Sequence, residues 1–83
     1  MQEKTINKAV IDRLNYFMGK KNISQYRLAE ISCVPYPTLK SIMQRRTTGI
    51  SLKTIIMLAA GLEITPSEFL NDNSFLIQNL DIE

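Results

Sequence analysis

The residues best suited to chemistry in this chain are its basic side chains. The 83-residue sequence carries ten Lys and Arg against eight Asp and Glu, a formal charge of +2. No acid occurs between Glu30 and Glu63, and the basic residues in that interval are Lys40, Arg45, Arg46 and Lys53. A concentrated positive surface on a small domain is typical of a protein that faces phosphate groups. A basic face that is merely solvated is the alternative.

The same composition argues against catalysis. There is no histidine, which is the commonest general base at neutral pH. The three glycines, Gly19, Gly49 and Gly61, lie too far apart to form a phosphate-binding loop. The single cysteine, Cys33, can form neither an internal disulfide nor a Cys/His metal cage. We therefore expect no enzymatic activity, no metal, no cofactor and no small-molecule ligand.

The length of the chain limits its organisation to one domain. At 9.5 kDa the chain buries only about 60–65% of its unfolded surface, so a second subunit is the remaining source of added stability. No apolar run approaches the ~18–20 residues of a membrane span, and the polar N-terminus does not resemble a signal peptide. We expect a cytoplasmic protein that does not interact with membranes.

Apolar residues recur at three- and four-residue intervals almost throughout, which predicts an all-α chain. The predicted helices lie at about residues 5–19, 25–32 and 36–45, after Ser51, and from the capping box Thr65-Pro66-Ser67-Glu68 onward. Gly19 and the Lys20-Lys21-Asn22 run after it are expected to end the first helix, and Gly61 to end the fourth in a left-handed conformation. The prediction is a compact five-helix domain over residues 1–70, followed by a short apolar tail, residues 71–83.

Residues 24–43 have the spacing of a helix-turn-helix. Ser24-Gln25 opens a short helix, Ala29 faces the next helix at the closest approach, and a four-residue link joins the two. The sequence resembles the Cro/CI-type (XRE) helix-turn-helix family of phage and bacterial repressors. The matching residues are Leu14 and Phe17, Ile23-Ser24-Gln25, Leu28-Ala29-Glu30, Val34-Pro35-Tyr36, Thr38-Leu39, Ser51-Leu52-Lys53-Thr54-Ile55, Leu62-Glu63-Ile64 and Glu68-Phe69-Leu70. They span most of the chain, and the resemblance implies a lambda-repressor-like fold.

The sequence departs from the family pattern at the turn and at the next helix start. Cys33 stands where the family usually has a glycine in the left-handed conformation, which implies backbone strain of about 1–2 kcal/mol. Pro35 and Pro37 flank Tyr36 at the start of the third helix, where proline is tolerated.

A further departure concerns a buried ion pair. Many family members pair an arginine late in the first helix with a glutamate late in the third, and the matching positions here are Met18 and Met43. Because desolvation consumes most of the Coulomb energy of a buried ion pair, an apolar pair can replace it. We expect the two methionines to contact each other and to be substantially buried.

The resemblance implies that the third helix lies in the major groove of DNA. The residues expected to contact bases are Tyr36, Pro37, Thr38, Lys40 and Ser41. Lys40 suits guanine N7 and O6, while Tyr36 and Pro37 suit a thymine methyl group. The residues expected to contact phosphates are Gln25, Arg27, Gln44, Arg45, Arg46, Thr47, Thr48 and Lys53. An ordinary solvated position is the alternative for each.

The expected function is therefore that of a sequence-specific transcriptional regulator, a repressor by its resemblance, that binds double-stranded DNA as a homodimer. The alternative is a helix-turn-helix fold used as a protein-interaction module, antitoxin-like, with weak or no DNA binding. The acid-free basic interval favours DNA.

The tail is unusually apolar for a chain terminus. Its large apolar side chains are Phe75, Leu76, Ile77, Leu80 and Ile82, and it carries three acids and no base. Two arrangements are open: the tail folds back over the first and fifth helices, or it forms a two-fold interface with the fifth helix. The second would set two recognition helices about 34 Å apart, one turn of DNA.

Overall fold

The computed structural model describes residues 5–45 and 49–76. Its helices are α1 (Ile6–Lys21), α2 (Gln25–Ser32), α3 (Tyr36–Met43), α4 (Leu52–Gly61) and α5 (Pro66–Leu70), followed by a single 3-10 turn at Asn73–Phe75. No strand occurs in these two ranges, and the five helices confirm the predicted all-α fold. The predicted phosphate contacts at Arg46, Thr47 and Thr48 and the tail residues Ile77, Leu80 and Ile82 lie outside the described residues.

Four of the helices begin at a polar side chain that serves as an N-cap. The hydroxyl oxygens of Thr5, Ser24, Ser51 and Thr65 each accept a hydrogen bond from the backbone N–H three residues further on, at 3.0–3.1 Å. Each cap satisfies one of the donors that a helix start leaves unpaired, which stabilises the helix by about 1 kcal/mol. The helix starts predicted after Ser24, Ser51 and Thr65 are confirmed.

Left-handed residues other than glycine follow the ends of α1 to α4. They are Asn22 (φ 57°), Cys33 (φ 61°), Arg45 (φ 61°) and Glu63 (φ 62°). The left-handed conformation expected at Cys33 is therefore confirmed.

Neither of the two glycines predicted at helix ends takes a left-handed conformation. Helix α1 continues past Gly19 to Lys21, and the left-handed residue is Asn22, whose N–H donates to the Gly19 carbonyl at 3.3 Å. Gly61 is the last residue of α4 and does not have a positive φ; Glu63 takes the left-handed conformation instead. The prediction of Gly61 as a left-handed terminator was therefore wrong.

Gly61 is required for a different reason, the packing of α4 on α2. A Cβ atom added at Gly61 would lie 2.7 Å from the Cβ and 2.8 Å from the Cα of Ser32. Real Cβ atoms essentially never come so close to other atoms. Ser32 is itself buried, and its hydroxyl donates to the Leu28 carbonyl at 2.6 Å. Glycine therefore lets the end of α4 lie directly against the end of α2.

The core contains residues from all five helices. Its largest fully buried side chains are Leu14, Leu28, Leu39, Leu58, Leu62 and Phe69. The rings of Phe17 and Phe69 stack with their centroids 6.2 Å apart. Met18 is buried and Met43 is half-buried against the same core, while direct contact between the two methionines stays a prediction.

Arg13 joins α1 to the end of α5. Its Nε donates to the Phe69 carbonyl and its Nη2 to the Glu68 carbonyl, both at 2.7 Å. A cation that binds the last carbonyls of a helix also interacts favourably with the helix dipole. The same guanidinium lies 4.6 Å from the centroid of the Phe17 ring and 3.7 Å from a carboxylate oxygen of Asp72. Arg13 thereby fixes α5 and the start of the tail on α1.

Candidate nucleic-acid interface

Helix α3 presents one side to the core and the other to solvent. Leu39 and Ile42 are buried on the inner side. The predicted base-contacting residues lie outward on the same two turns: Tyr36, Pro37, Thr38 and Lys40 are exposed, and Ser41 is half-buried. The fold therefore brings all of them together on a single accessible helix surface, as a recognition helix requires.

The predicted phosphate-contacting residues lie mainly at the ends of neighbouring helices. Gln25 is the first residue of α2 and is half-buried, while Gln44 and Arg45 follow α3 and are exposed. Lys53 is exposed in the first turn of α4. The N-terminus of a helix presents free N–H groups and a positive dipole, both of which favour phosphate. Gln25 and Lys53 are therefore at positions that suit an anionic backbone.

Arg27 is already engaged in an ion pair on the surface of α2. Its Nη1 donates to Glu30 Oε1 at 2.7 Å, and both side chains are well exposed. An exposed ion pair of this kind is weak, so a phosphate can compete for the guanidinium. Arg27 lines a groove with Ile31 and Ala60 beside α4, while its partner Glu30 lines the concavity that contains Tyr36.

Tyr26 is a residue of this surface that the sequence reasoning missed. It is 66% exposed in the first turn of α2, and its ring meets the Tyr36 ring edge to face. The ring centroids are 5.5 Å apart with 67° between the planes. The only signal in the sequence was an aromatic residue directly after Gln25, at the start of the helix that precedes the recognition helix.

Three features define a helix-turn-helix DNA-binding domain. Helix α3 has an exposed outer side, α2 packs across α3, and basic residues follow the end of α3. A family profile described as the Cro/C1-type HTH DNA-binding domain matches residues 13–74. The match covers well over half of the chain, so this protein belongs to the Cro/C1-type helix-turn-helix family, as its sequence suggested. No curated protein gives a significant sequence match to the chain.

Membership in this family has two general consequences. The family is one of DNA-binding regulators rather than enzymes, which agrees with the expectation from composition. DNA is accordingly the general class of partner. Across residues 5–45 and 49–76, none of the helices has both the length and the apolar character needed to cross a membrane.

Proposed function

We propose that this protein is a sequence-specific transcriptional regulator that acts as a repressor and inserts α3 into the major groove. The observation that carries the proposal is the outer side of α3, which collects Tyr36, Pro37, Thr38, Lys40 and Ser41 on one accessible surface. The interval between Glu30 and Glu63 contains α3 and has basic but no acidic residues, so it places positive charge on α3 and on the chain that follows α3. A bound repressor would exclude competing proteins from the same DNA in the cytoplasm of a bacterial cell.

In the proposed complex the two kinds of contact have separate roles. The outer residues of α3 meet the base edges and provide sequence preference. Gln25, Gln44, Arg45 and Lys53 meet the phosphates and fix the position of the domain on the duplex. Arg46, Thr47 and Thr48 are proposed for the same backbone role from their place in the sequence alone. Arg27 is proposed for the same role, in which a phosphate would replace Glu30 as the partner of its guanidinium.

The experiment that tests this proposal compares two kinds of variant. Arg45→Ala combined with Arg46→Ala should weaken binding to all duplexes alike and reduce the slope of log K against log salt by about 2, since each phosphate contact contributes about 0.9. Lys40→Ala or Tyr36→Ala should instead change which duplex is preferred. Binding is measured by fluorescence anisotropy at several salt concentrations, on duplexes selected from a randomised pool and on random duplexes.

A matched control removes the same charge from another place. Lys20 and Lys21 are exposed in the last turn of α1, and neither is among the proposed phosphate contacts. Lys20→Ala combined with Lys21→Ala should leave the salt slope within about 0.5 of the parent value. If the control variant loses as much affinity and slope as the arginine variant, net charge rather than a defined phosphate-binding face explains the binding.

We further propose that the protein binds DNA as a homodimer. One domain of this size offers well under about 1,000 Å² of recognition surface, so a single subunit should bind weakly and two half-sites should be needed. Leu70 at the end of α5 and Leu76 after the 3-10 turn are large apolar side chains that remain exposed. Their position at the start of the tail supports an interface formed by α5 and the tail.

The second candidate function is a protein-interaction module with weak or no DNA binding. It is favoured by Leu52 and Ile56, which are spaced four residues apart on α4 and are 66% and 45% exposed. Exposed apolar side chains grouped on one helix face are typical of a protein contact. Retention of the protein on random duplex DNA that decreases steeply with salt would favour the regulator, and absence of such retention would favour the module.

A further inference from the structure

Two tyrosines lie in the first turns of α2 and α3. Tyr26 lies in the first turn of α2 and Tyr36 is the first residue of α3. Their rings meet edge to face, an arrangement that aromatic rings prefer because the positive edge of one faces the negative face of the other. Beneath them, the buried side chains of Ala29 and Val34 line the same concavity.

The backbone around Tyr36 is already restricted before any ligand binds. Pro35 and Pro37 fix φ on both sides of Tyr36, and α3 starts without a side-chain cap. Tyr36 is itself the first residue of α3, so its own backbone angles are set by the helix and the larger remaining freedom is that of its side-chain torsions. The Tyr26 ring, in contact with the Tyr36 ring, limits those torsions from the neighbouring helix.

The exposure of Tyr26 indicates that this contact contributes little to the core. Tyr26 is 66% exposed and Tyr36 is 37% exposed, so the pair buries far less than a core aromatic such as Phe69. An exposed pair at the start of a recognition helix can instead hold a side chain ready for its ligand. A side chain ordered in advance loses less conformational entropy on binding, which strengthens its contact with a ligand that fits that orientation.

We propose that Tyr26 is a positioning residue for base recognition, because its ring holds the Tyr36 ring in the orientation in which Tyr36 contacts a base pair. This inference rests on the proposed function, since it requires α3 to lie in the major groove. The base pair concerned is the one whose edge, such as a thymine methyl group, meets the Tyr36 ring. Tyr26 would then influence sequence preference through Tyr36.

The test measures discrimination at each base position. The preferred site is first selected from a randomised duplex pool with the parent protein, and affinities are then measured for that site and for each single-base change. Tyr26→Ala should reduce discrimination by about 3- to 10-fold, the range expected for loss of one aromatic pair, and only at the position where Tyr36→Ala reduces it. Affinity for random duplex should stay within twofold of the parent value. Tyr26→Phe keeps the ring and should retain the parent discrimination.

The inference also requires that the effects of Tyr26→Ala and Tyr36→Ala on discrimination are not additive. If Tyr26 acts through Tyr36, the variant with both alanines should discriminate no worse than Tyr36→Ala alone. In the free protein, the NMR signals of the Tyr36 ring protons should shift in Tyr26→Ala, because the ring current of Tyr26 is removed. Tyr16→Ala is the matched control, since Tyr16 is an exposed tyrosine on α1 and its removal should leave discrimination unchanged. Circular dichroism verifies that each variant is folded.

Several results would overturn the inference while leaving the proposed function intact. These are unchanged discrimination in Tyr26→Ala, equal weakening on every duplex, or additive effects of the two alanines. Failure of the parent protein to bind any duplex would overturn the proposed function and this inference together.

Discussion

Cys33 forms the turn between α2 and α3 in a conformation that few side chains adopt. Its φ of 61° lies in the left-handed region, where a Cβ atom costs about 1–2 kcal/mol. The thiol is exposed, so burial of the side chain does not offset the strain. The residue therefore lowers the stability of the turn that orients the proposed recognition helix.

Cys33→Gly should stabilise the protein by up to about 1 kcal/mol. The gain is smaller than the strain because glycine also loses more backbone entropy on folding, about 0.5–1 kcal/mol. The measurement is urea denaturation followed by circular dichroism. Cys33→Ala keeps the Cβ atom and removes the thiol, so it should not share the gain. Equal stabilisation by both substitutions would assign the effect to the thiol rather than to the backbone.

At the scale of the elements, the contact between α2 and α4 depends on glycine at position 61, which has no side chain. Gly61→Ala would place a methyl group 2.7 Å from the Ser32 Cβ atom, so one of the helices must shift. Forcing extra atoms into a packed contact costs about 1–3 kcal/mol, which exceeds the gain of about 1 kcal/mol in helix propensity. We therefore expect Gly61→Ala to lower the free energy of unfolding.

Gly19→Ala is the matched control for this prediction. Gly19 lies in the last turns of α1, and a Cβ atom added there meets nothing within 4 Å. The higher helix propensity of alanine should therefore raise stability by up to about 1 kcal/mol. Thermal and urea denaturation of both variants should give opposite signs, and destabilisation by both would contradict the steric explanation for Gly61.

The attachment of α5 to α1 depends on Arg13. Arg13→Met keeps most of the apolar stem but removes the hydrogen bonds to the Glu68 and Phe69 carbonyls. Hydrogen bonds to charged groups contribute about 1.5–3 kcal/mol each, so a loss of at least about 1.5 kcal/mol is expected. Hydrogen exchange should accelerate most in α5.

Arg27→Met is the matched control for the substitution at Arg13. Arg27 forms an exposed ion pair with Glu30, and pairs of this kind contribute about 0.2–1 kcal/mol. If both arginine variants lose the same stability, the contact of Arg13 with the end of α5 is not what stabilises the fold.

At the scale of the whole molecule, the described part of the tail, residues 71–76, has both packed and exposed apolar side chains. Phe75 is half-buried against the core, and the Asp72 carboxylate accepts a hydrogen bond from the Ser74 N–H at 3.0 Å. The 3-10 turn also contacts α1, which agrees with part of the fold-back arrangement for the tail. Leu76 is 46% exposed. A truncation that tests dimerisation should keep residues through Leu76 and remove residues 77–83.

Deletion of residues 77–83 should convert a dimer into a monomer with an intact fold. The physical reason is loss of the apolar side chains proposed to meet across the two-fold axis. Sedimentation equilibrium gives the mass, and circular dichroism gives the helix content. Leu52→Ser combined with Ile56→Ser is the companion variant, which removes the other exposed apolar face and should remain dimeric. A truncated chain that keeps the oligomeric state of the full chain would exclude residues 77–83 as the interface.

The sequence alone determined the order of the helices, most of their starts and the helix-turn-helix pattern. These features are local: Ser24 and Thr65 cap helices by accepting hydrogen bonds from N–H groups three residues away. The outward residues of α3 were predictable for the same reason, since the spacing of Leu39 and Ile42 along the helix sets which side is buried.

The tertiary structure alone decided the features that depend on distant segments. The need for glycine at position 61 arises from Ser32, and the role of Arg13 arises from Phe69, 56 residues further along the chain. The pairing of Tyr26 with Tyr36 likewise depends on how α2 packs on α3. Residue type and local periodicity carry no information about such contacts, because they form only when separate helices meet in one particular packing.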